Sequence, residues 1–189
     1  DQSRARSAAA TSGAGGTHRG LQPVGRIFGP SAALNTYGVK VAEIRRSRTI
    51  AAEAQAIWDV LADFGAISAW ADIADHSCLL TPAADGIGVG TARRVQVGRD
   101  TLVERITEFD RPRALAYDVA GFPRQLRRLN NRWTLSPIAG GTVVTLTTTI
   151  EIGRNRVQRL AERVVARFSA RQLDSMLTGL AHRMEGSYD

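Results

Sequence analysis

Cysteine is almost absent from this chain: Cys78 is the only one in 189 residues. An internal disulfide is therefore excluded, and the composition fits a reducing compartment such as the cytoplasm. Cys78 itself reads as a small buried strand residue, because no neighbouring residue set offers it a base. Histidine is as sparse. His18, His76 and His182 lie far apart in sequence, with no H-x-x-x-H spacing and no paired cysteines, so no metal site is expected. No apolar run reaches the length of about 18 residues that a membrane-spanning helix needs. The run Gly86-Ile-Gly88-Val-Gly90 lacks the G-x-G-x-x-G spacing and opens no helix, so it reads as a turn and not as a dinucleotide loop. A G-x-S-x-G elbow and a phosphate loop are missing too. No cofactor is expected.

Lysine is the last scarcity. Of 25 basic residues only Lys40 is not arginine, a bias that reflects genome composition more than recognition. The formal charge of +7 suggests nucleic-acid binding until it is divided along the chain. Residues 1–38 carry four arginines against one acid, and residues 154–185 carry seven arginines against three acids. The remainder is neutral. The excess sits on a tail and on one helix, so no nucleic-acid partner is expected. Residues 1–38 form a leader rich in Gly, Ser, Ala and Arg with little to bury, and it reads as flexible. Its composition shares features with transit peptides but shows no clear amphipathic helix. Residues 39–189 form the domain proper, and Leu21 to Tyr37 can pack loosely on it.

What is present is an order of parts. Val39 to Ile50 makes an imperfect strand. Ile57, Val60, Leu61 and Phe64 then fall at i, i+3, i+4 and i+7, which is one face of a helix. Gly65 breaks it, and Ile67 to Trp70 makes a second short helical turn. A run of strands follows from about Cys78 to Ile152, punctuated by Gly98-Arg99-Asp100, by Asp110 to Arg113, by a longer basic connection over 121–130 and by Pro137 to Gly141. The last strand alternates cleanly, with Val144, Leu146, Thr148, Ile150 and Ile152 on one face and Thr145, Thr147, Thr149 and Glu151 on the other. A long amphipathic helix closes the chain from about Gln158 to Glu185. Its apolar stripe (Val157, Leu160, Ala161, Val164, Phe168, Met176, Leu180, Met184) must bury against the sheet. A curved sheet wrapped on one helix leaves a hollow between them, which suggests a container for a small ligand.

These segments carry a resemblance. Ile50-Ala-Ala-Glu53, Ile57-Trp-Asp59-Val-Leu61-Ala-Asp63-Phe64 and Trp70 are similar to the opening of the START-like (SRPBCC) superfamily. That group includes polyketide cyclase/dehydrase-like proteins, Bet v 1 relatives and the plant abscisic-acid receptors. The likeness continues through Gly88 to Val95, Val103 to Asp110, Leu115 to Val119, Trp133 and Gly140 to Thr145, and covers about Val39 to Glu185. It implies an α+β helix-grip fold. In that fold a seven-stranded antiparallel sheet wraps a long C-terminal helix, with two short helices after the first strand. It also implies that an acid at Glu104 and a basic residue at His76 point into the cavity. Arg132 or His76 would then pair with Glu104. The expected lining is Trp70, His76, Val95, Val97, Leu102, Glu104, Ile106, Tyr117, Arg132, Val164 and Phe168. The receptors' gating loop corresponds to Gly98-Arg99-Asp100, too short for a lid, so the cyclase-like branch fits better.

Each of these residues also has a structural reading: Glu104 in an ion pair, His76 at a strand edge, Tyr117 and Trp70 as core or cavity wall, and Trp133 as packing. Two functions stay in front. One is binding or transport of a small hydrophobic ligand, such as a lipid, polyketide or isoprenoid. The other is a cyclase, aromatase or dehydratase in which His76 or Glu104 acts as acid or base while Tyr117 or Arg132 polarises a carbonyl. Nothing in the sequence demands chemistry, so binding is favoured. Arg159, Arg163, Arg167 and Arg171 recur every four residues and form a solvated flank, with weak contact to a membrane surface as the further reading.

Overall fold

The computed structural model describes residues 31–34, 40–81, 86–121, 126–152 and 158–186, with side chains described in these segments except at 31–41, 126–127 and 152–169. Strands are β1 (Ser31–Leu34), β2 (Lys40–Ile50), β3 (His76–Thr81), β4 (Ala92–Val97), β5 (Asp100–Asp110), β6 (Ala114–Ala120), β7 (Leu126–Ile138) and β8 (Gly141–Ile152). The helices are α1 (Ala54–Ala62), a 3-10 helix (Phe64–Ala69) and α2 (Gln158–Glu185). All strands pair antiparallel in one sheet of order β1-β2-β8-β7-β6-β5-β4-β3. This is the helix-grip architecture, seven strands and a closing helix. Four residues of the expected leader, Ser31–Leu34, add an eighth strand at the β2 edge. Residues 1–30 lie outside the described residues.

Local chemistry explains the elements. Val97 pairs with Asp100, so only Gly98 and Arg99 turn the β4–β5 hairpin, and Gly98 takes a positive φ of 57° that side chains rarely adopt. β8 alternates in burial as it does in sequence: Thr142, Val144, Leu146, Thr148 and Ile150 are buried, while the residues between them are part-exposed. The period-2 pattern thus fixes which face meets the core. α1 buries Ile57, Trp58 and Leu61. Trp58, next to the stripe residue Ile57, is 1% exposed and meets Phe109 edge-on at 4.9 Å. The 3-10 helix is tied to β3 by Ser77, whose Oγ donates to the Gly65 carbonyl at 2.6 Å and accepts from the Ser68 amide at 3.2 Å. The start of β8 is tied to the entry of α1, where Thr142 Oγ1 donates to the Ala52 carbonyl at 2.8 Å.

Two arginines on the core face of β2 dock α2. Arg46 reaches Asp174, and Arg48 Nη1 donates to Thr178 Oγ1 at 2.9 Å. Leu173, Met176, Leu177, Leu180 and Met184 complete the contact as a buried stripe at helical spacing. A Cβ placed at Gly179 would overlap the Trp70 carbonyl oxygen, so α2 lies directly against the chain leaving the 3-10 helix. The apolar stripe expected over Val157 to Phe168 concerns side chains outside the described residues. Cys78, expected to be buried, is exposed, because β3 is the free edge of the sheet and Cys78 pairs with the exposed Arg94.

The Gly179 contact yields a sign test. In an unpacked helix Gly→Ala stabilises by about 1 kcal/mol. Here Gly179→Ala is expected to destabilise by about 1–3 kcal/mol through overpacking against Trp70. Urea denaturation of the purified chain measures it, and an increase in stability would refute the close approach.

Candidate functional site

Strand register places the inward side chains in rows across the sheet. One row runs Arg93, Glu104, Val119, Leu129, Ile150 and Ala42. The next runs Ile106, Tyr117, Asn131, Thr148 and Ile44, and a third joins Leu115, Trp133, Leu146 and Arg46. Beyond the first row, Val95 faces Leu102. The middle of the concave face is closely packed: Ile106, Tyr117 and Trp133 are each 1% exposed. Towards the end where β5 begins and β6 ends, the inward residues Val97, Leu102 and Leu129 keep part of their surface open. That gradient gives an apolar wall beside a buried polar cluster.

The cluster centres on an ion pair. Arg93 and Glu104 are the only buried charged residues among those described. Arg93 Nε and Nη2 both lie 2.6 Å from Glu104 Oε2, and Nη1 donates to the Phe64 carbonyl at 2.7 Å. The guanidinium carbon stands 3.9 Å over the Phe64 ring and 5.0 Å from the Tyr117 ring centre. Phe64 and Tyr117 meet edge-on at 5.6 Å. The pair is thus neutralised, hydrogen-bonded and enclosed by aromatic surface, which is what a charge removed from water requires.

Beside it lies a neutral polar row. Thr148 Oγ1 donates to Asn131 Oδ1 at 2.6 Å, and Trp133 Nε1 makes a long contact of 3.5 Å with the Tyr117 hydroxyl. Burial, with a smaller contribution from the Glu104 charge, pushes the Tyr117 hydroxyl up to about 12. Arg93 and hydrogen bonds with Trp133 and Asn131 oppose the shift without cancelling it. Tyr117 therefore stays neutral and keeps a proton to donate. Trp70 sits at the end of the 3-10 helix, 9% exposed, with its ring edge-on to Trp133 at 6.1 Å. Its Nε1 is the only buried side-chain nitrogen or oxygen that lacks a hydrogen-bond partner among the described residues. A buried donor left in that state costs about 1–3 kcal/mol.

The structure sorts the expected site residues into two faces. Trp70, Val95, Val97, Leu102, Glu104, Ile106 and Tyr117 lie on the inner side. His76 does not: it pairs with Gln96, whose neighbours Val95 and Val97 face inward, so His76 is on the outer face and exposed. Arg132 is also outward, since Trp133 next to it is inward. It makes two hydrogen bonds with Glu108, at 2.6 and 2.8 Å. This arginine holds the Glu108 carboxyl below the usual carboxylate range. With Thr107, Ala116, Arg128, Asn130, Thr149 and Glu151 they line a shallow polar groove of about 350 Å³ on the outer face. Neither Arg132 nor His76 is the partner of Glu104; Arg93 is. Side chains of Val164, Phe168, Arg159, Arg163 and Arg167 lie outside the described residues, and Arg171 is exposed.

Three polar residues of the interior escaped the sequence reading, Arg93, Asn131 and Thr148, as did the apolar Val119 and Leu129. Arg93 was within reach. A two-residue turn at Gly98-Arg99 sets Val97 opposite Asp100, and counting back sets Arg93 opposite Glu104. Thr148 stood on the apolar face of the clearest strand, where a lone Thr reads as filler. Asn131 lay at the end of the basic connection, where no turn fixed the strand's parity. Among the described residues no group of three or more His, Cys, Asp or Glu could hold a metal ion, and no helix is long and apolar enough to cross a membrane.

Residues 41–185 match a protein family described as polyketide cyclase / dehydrase and lipid transport. No curated protein sequence matches significantly. Solved structures share the fold. A START superfamily protein from Mycobacterium smegmatis superposes with a TM-score of 0.63 at 14% identity, covering 76% of this chain and 97% of that one. The Zhui aromatase/cyclase from Streptomyces gives 0.58 at 20% identity, with 76% and 96% coverage. A protein from Thermus thermophilus gives 0.62 at 19%, with 78% and 99% coverage. At such identities these likenesses concern the fold alone.

Two measurements test the site's physics. Arg93→Met or Glu104→Leu alone strands a buried charge and is expected to cost about 3–5 kcal/mol, while the double variant costs well under the sum. Additive losses in urea denaturation would show that the two side chains do not act as a pair. Tyr117 supplies the second. A hydroxyl whose folded pKa is raised leaves stability intact below about pH 10 and removes it as pH climbs towards 12, by about 2–3 kcal/mol in total. The stability difference between wild type and Tyr117→Phe should carry that slope, and a flat difference would contradict it.

Proposed function

The chain belongs to the polyketide cyclase / dehydrase and lipid transport family, and from that premise we propose that it binds and carries a small hydrophobic ligand between the concave sheet and α2. Family and fold are compatible with either ligand binding or polyketide cyclase activity. The observation that carries the choice is the closed Arg93–Glu104 pair. General acid–base chemistry needs a group free to exchange a proton with the substrate. Glu104 is tied to a guanidinium, and His76, the other residue expected as acid or base, faces the other way. What the interior offers is apolar surface from Val95, Val97, Leu102, Val119 and Leu129, with a few neutral polar groups to orient a guest. The ligands that suit such walls are lipid-, polyketide- or isoprenoid-like.

Native mass spectrometry of the purified full chain, followed by organic extraction, tests this reading. A co-purified apolar molecule is expected, retained unaltered. His76→Ala and Arg132→Ala, both on the outer face, should retain it as well as wild type does. A ligand released in chemically different form by wild type and Glu104→Gln would favour the cyclase or dehydratase alternative. Loss of the ligand from His76→Ala would overturn the assignment of faces.

A further inference from the structure

Trp70 belongs to the buried cluster against which Val97, Leu102 and Leu129 pack, and its indole N–H lies within that interior. It is nine-tenths buried, beside Trp133, and has no hydrogen-bond partner among the described residues. Its neighbour Trp133 and the other buried polar side chains of the inner face are already engaged. Trp133 Nε1 turns to Tyr117, Thr148 to Asn131, and Arg93 to Glu104 and the Phe64 carbonyl. An indole nitrogen donates and cannot accept. Its complement is therefore an acceptor.

The charge of that acceptor follows from the surrounding groups. Arg93 and Glu104 neutralise each other at 2.6 Å, and no other buried charged residue occurs among those described. Arg48, on the core face of β2, is only part-buried and already donates to Thr178. An anion entering here would therefore leave water with no buried cation free to meet it among the described residues, while a neutral oxygen loses little on entry. Resting on the carrier reading above, we propose that Trp70 Nε1 is a specificity donor and that the ligand is an uncharged apolar molecule bearing an acceptor oxygen, such as a ketone or ester carbonyl. Free fatty acids and other carboxylates are then disfavoured. A pure hydrocarbon fits the walls but leaves the indole unanswered.

Three probes of one skeleton separate these cases: 2-acetylnaphthalene with a carbonyl, 2-ethylnaphthalene without an acceptor, and 2-naphthoate with a charge. The full chain is labelled with 15N at its three tryptophans and each probe is titrated in, reading affinity and the indole N–H resonances. Expected is about tenfold tighter binding of the ketone than of the ethyl compound, with the Trp70 proton moving downfield for the ketone alone. Naphthoate should bind more weakly than the ketone. Trp70→Phe should bring the ketone down to the ethyl compound and leave the latter unchanged. If that variant fails to fold, the wild-type Trp70 resonance decides by itself. Equal affinities for ketone and ethyl compound, an unmoved Trp70 signal, or naphthoate binding as tightly as the ketone would overturn the specificity while leaving the carrier reading intact. Failure of all three to bind would overturn both.

Discussion

A guanidinium and a carboxylate held 2.6 Å apart inside an apolar domain impose the condition that the rest of this structure meets. Charges of this kind gain little net stability, because desolvation offsets most of the Coulomb attraction, yet removing either partner is costly. Their consequence is geometrical. Arg93 comes from β4, Glu104 from β5 and the second acceptor, a backbone carbonyl, from Phe64 at the start of the 3-10 helix. One side chain thus fixes the hairpin register, the seat of the 3-10 helix and the edge-on contact of Phe64 with Tyr117. A slip of one residue in β4 would turn Arg93 to solvent and leave Glu104 buried alone.

That condition reaches α2 through the chain leaving the 3-10 helix. The Phe64–Ala69 segment, anchored by Arg93 at its start and by Ser77 along its length, delivers Trp70 to the inner face. Gly179 lets α2 pack on the Trp70 backbone, and Arg46 and Arg48 reach the same helix from β2. The second half of α2 is therefore a packed support. The wall formed by Val97, Leu102 and Leu129 belongs to the other end of the sheet, where part of the inner surface stays open. Rigid support at one end and open apolar surface at the other is a physical basis for holding a guest without rebuilding the core.

Much of this was legible in the residues. The 3.6 period over Ile57 to Leu61, the alternation over Thr142 to Ile152 and the glycine at the β4–β5 turn each specify one local structure, so the element order followed. The α-helix nonetheless ends at Ala62, and Phe64 with Gly65 opens the 3-10 helix. The family resemblance implied that Glu104 points inward, and strand parity then carried Val95, Val97, Leu102 and Ile106 to the same side. The misplacements have a common cause. His76 lies on an edge strand bounded by a loop, and Arg132 follows a long connection, so no turn fixed their parity. Cys78 went wrong because composition favours burial of cysteine, while an edge strand leaves one side uncovered.

Neighbours along the chain were thus enough to set the helices, the strands, the tight turn and the family to which they belong. Neighbours across the fold decided the rest. Packing chose Arg93 over Arg132 and His76 as the partner of Glu104, turned His76 away from the interior and left the Trp70 indole without a partner among the described residues. The physical reason is that periodicity carries the direction of a side chain relative to its own element. The identity of its partner is set by register and packing between elements far apart in the chain.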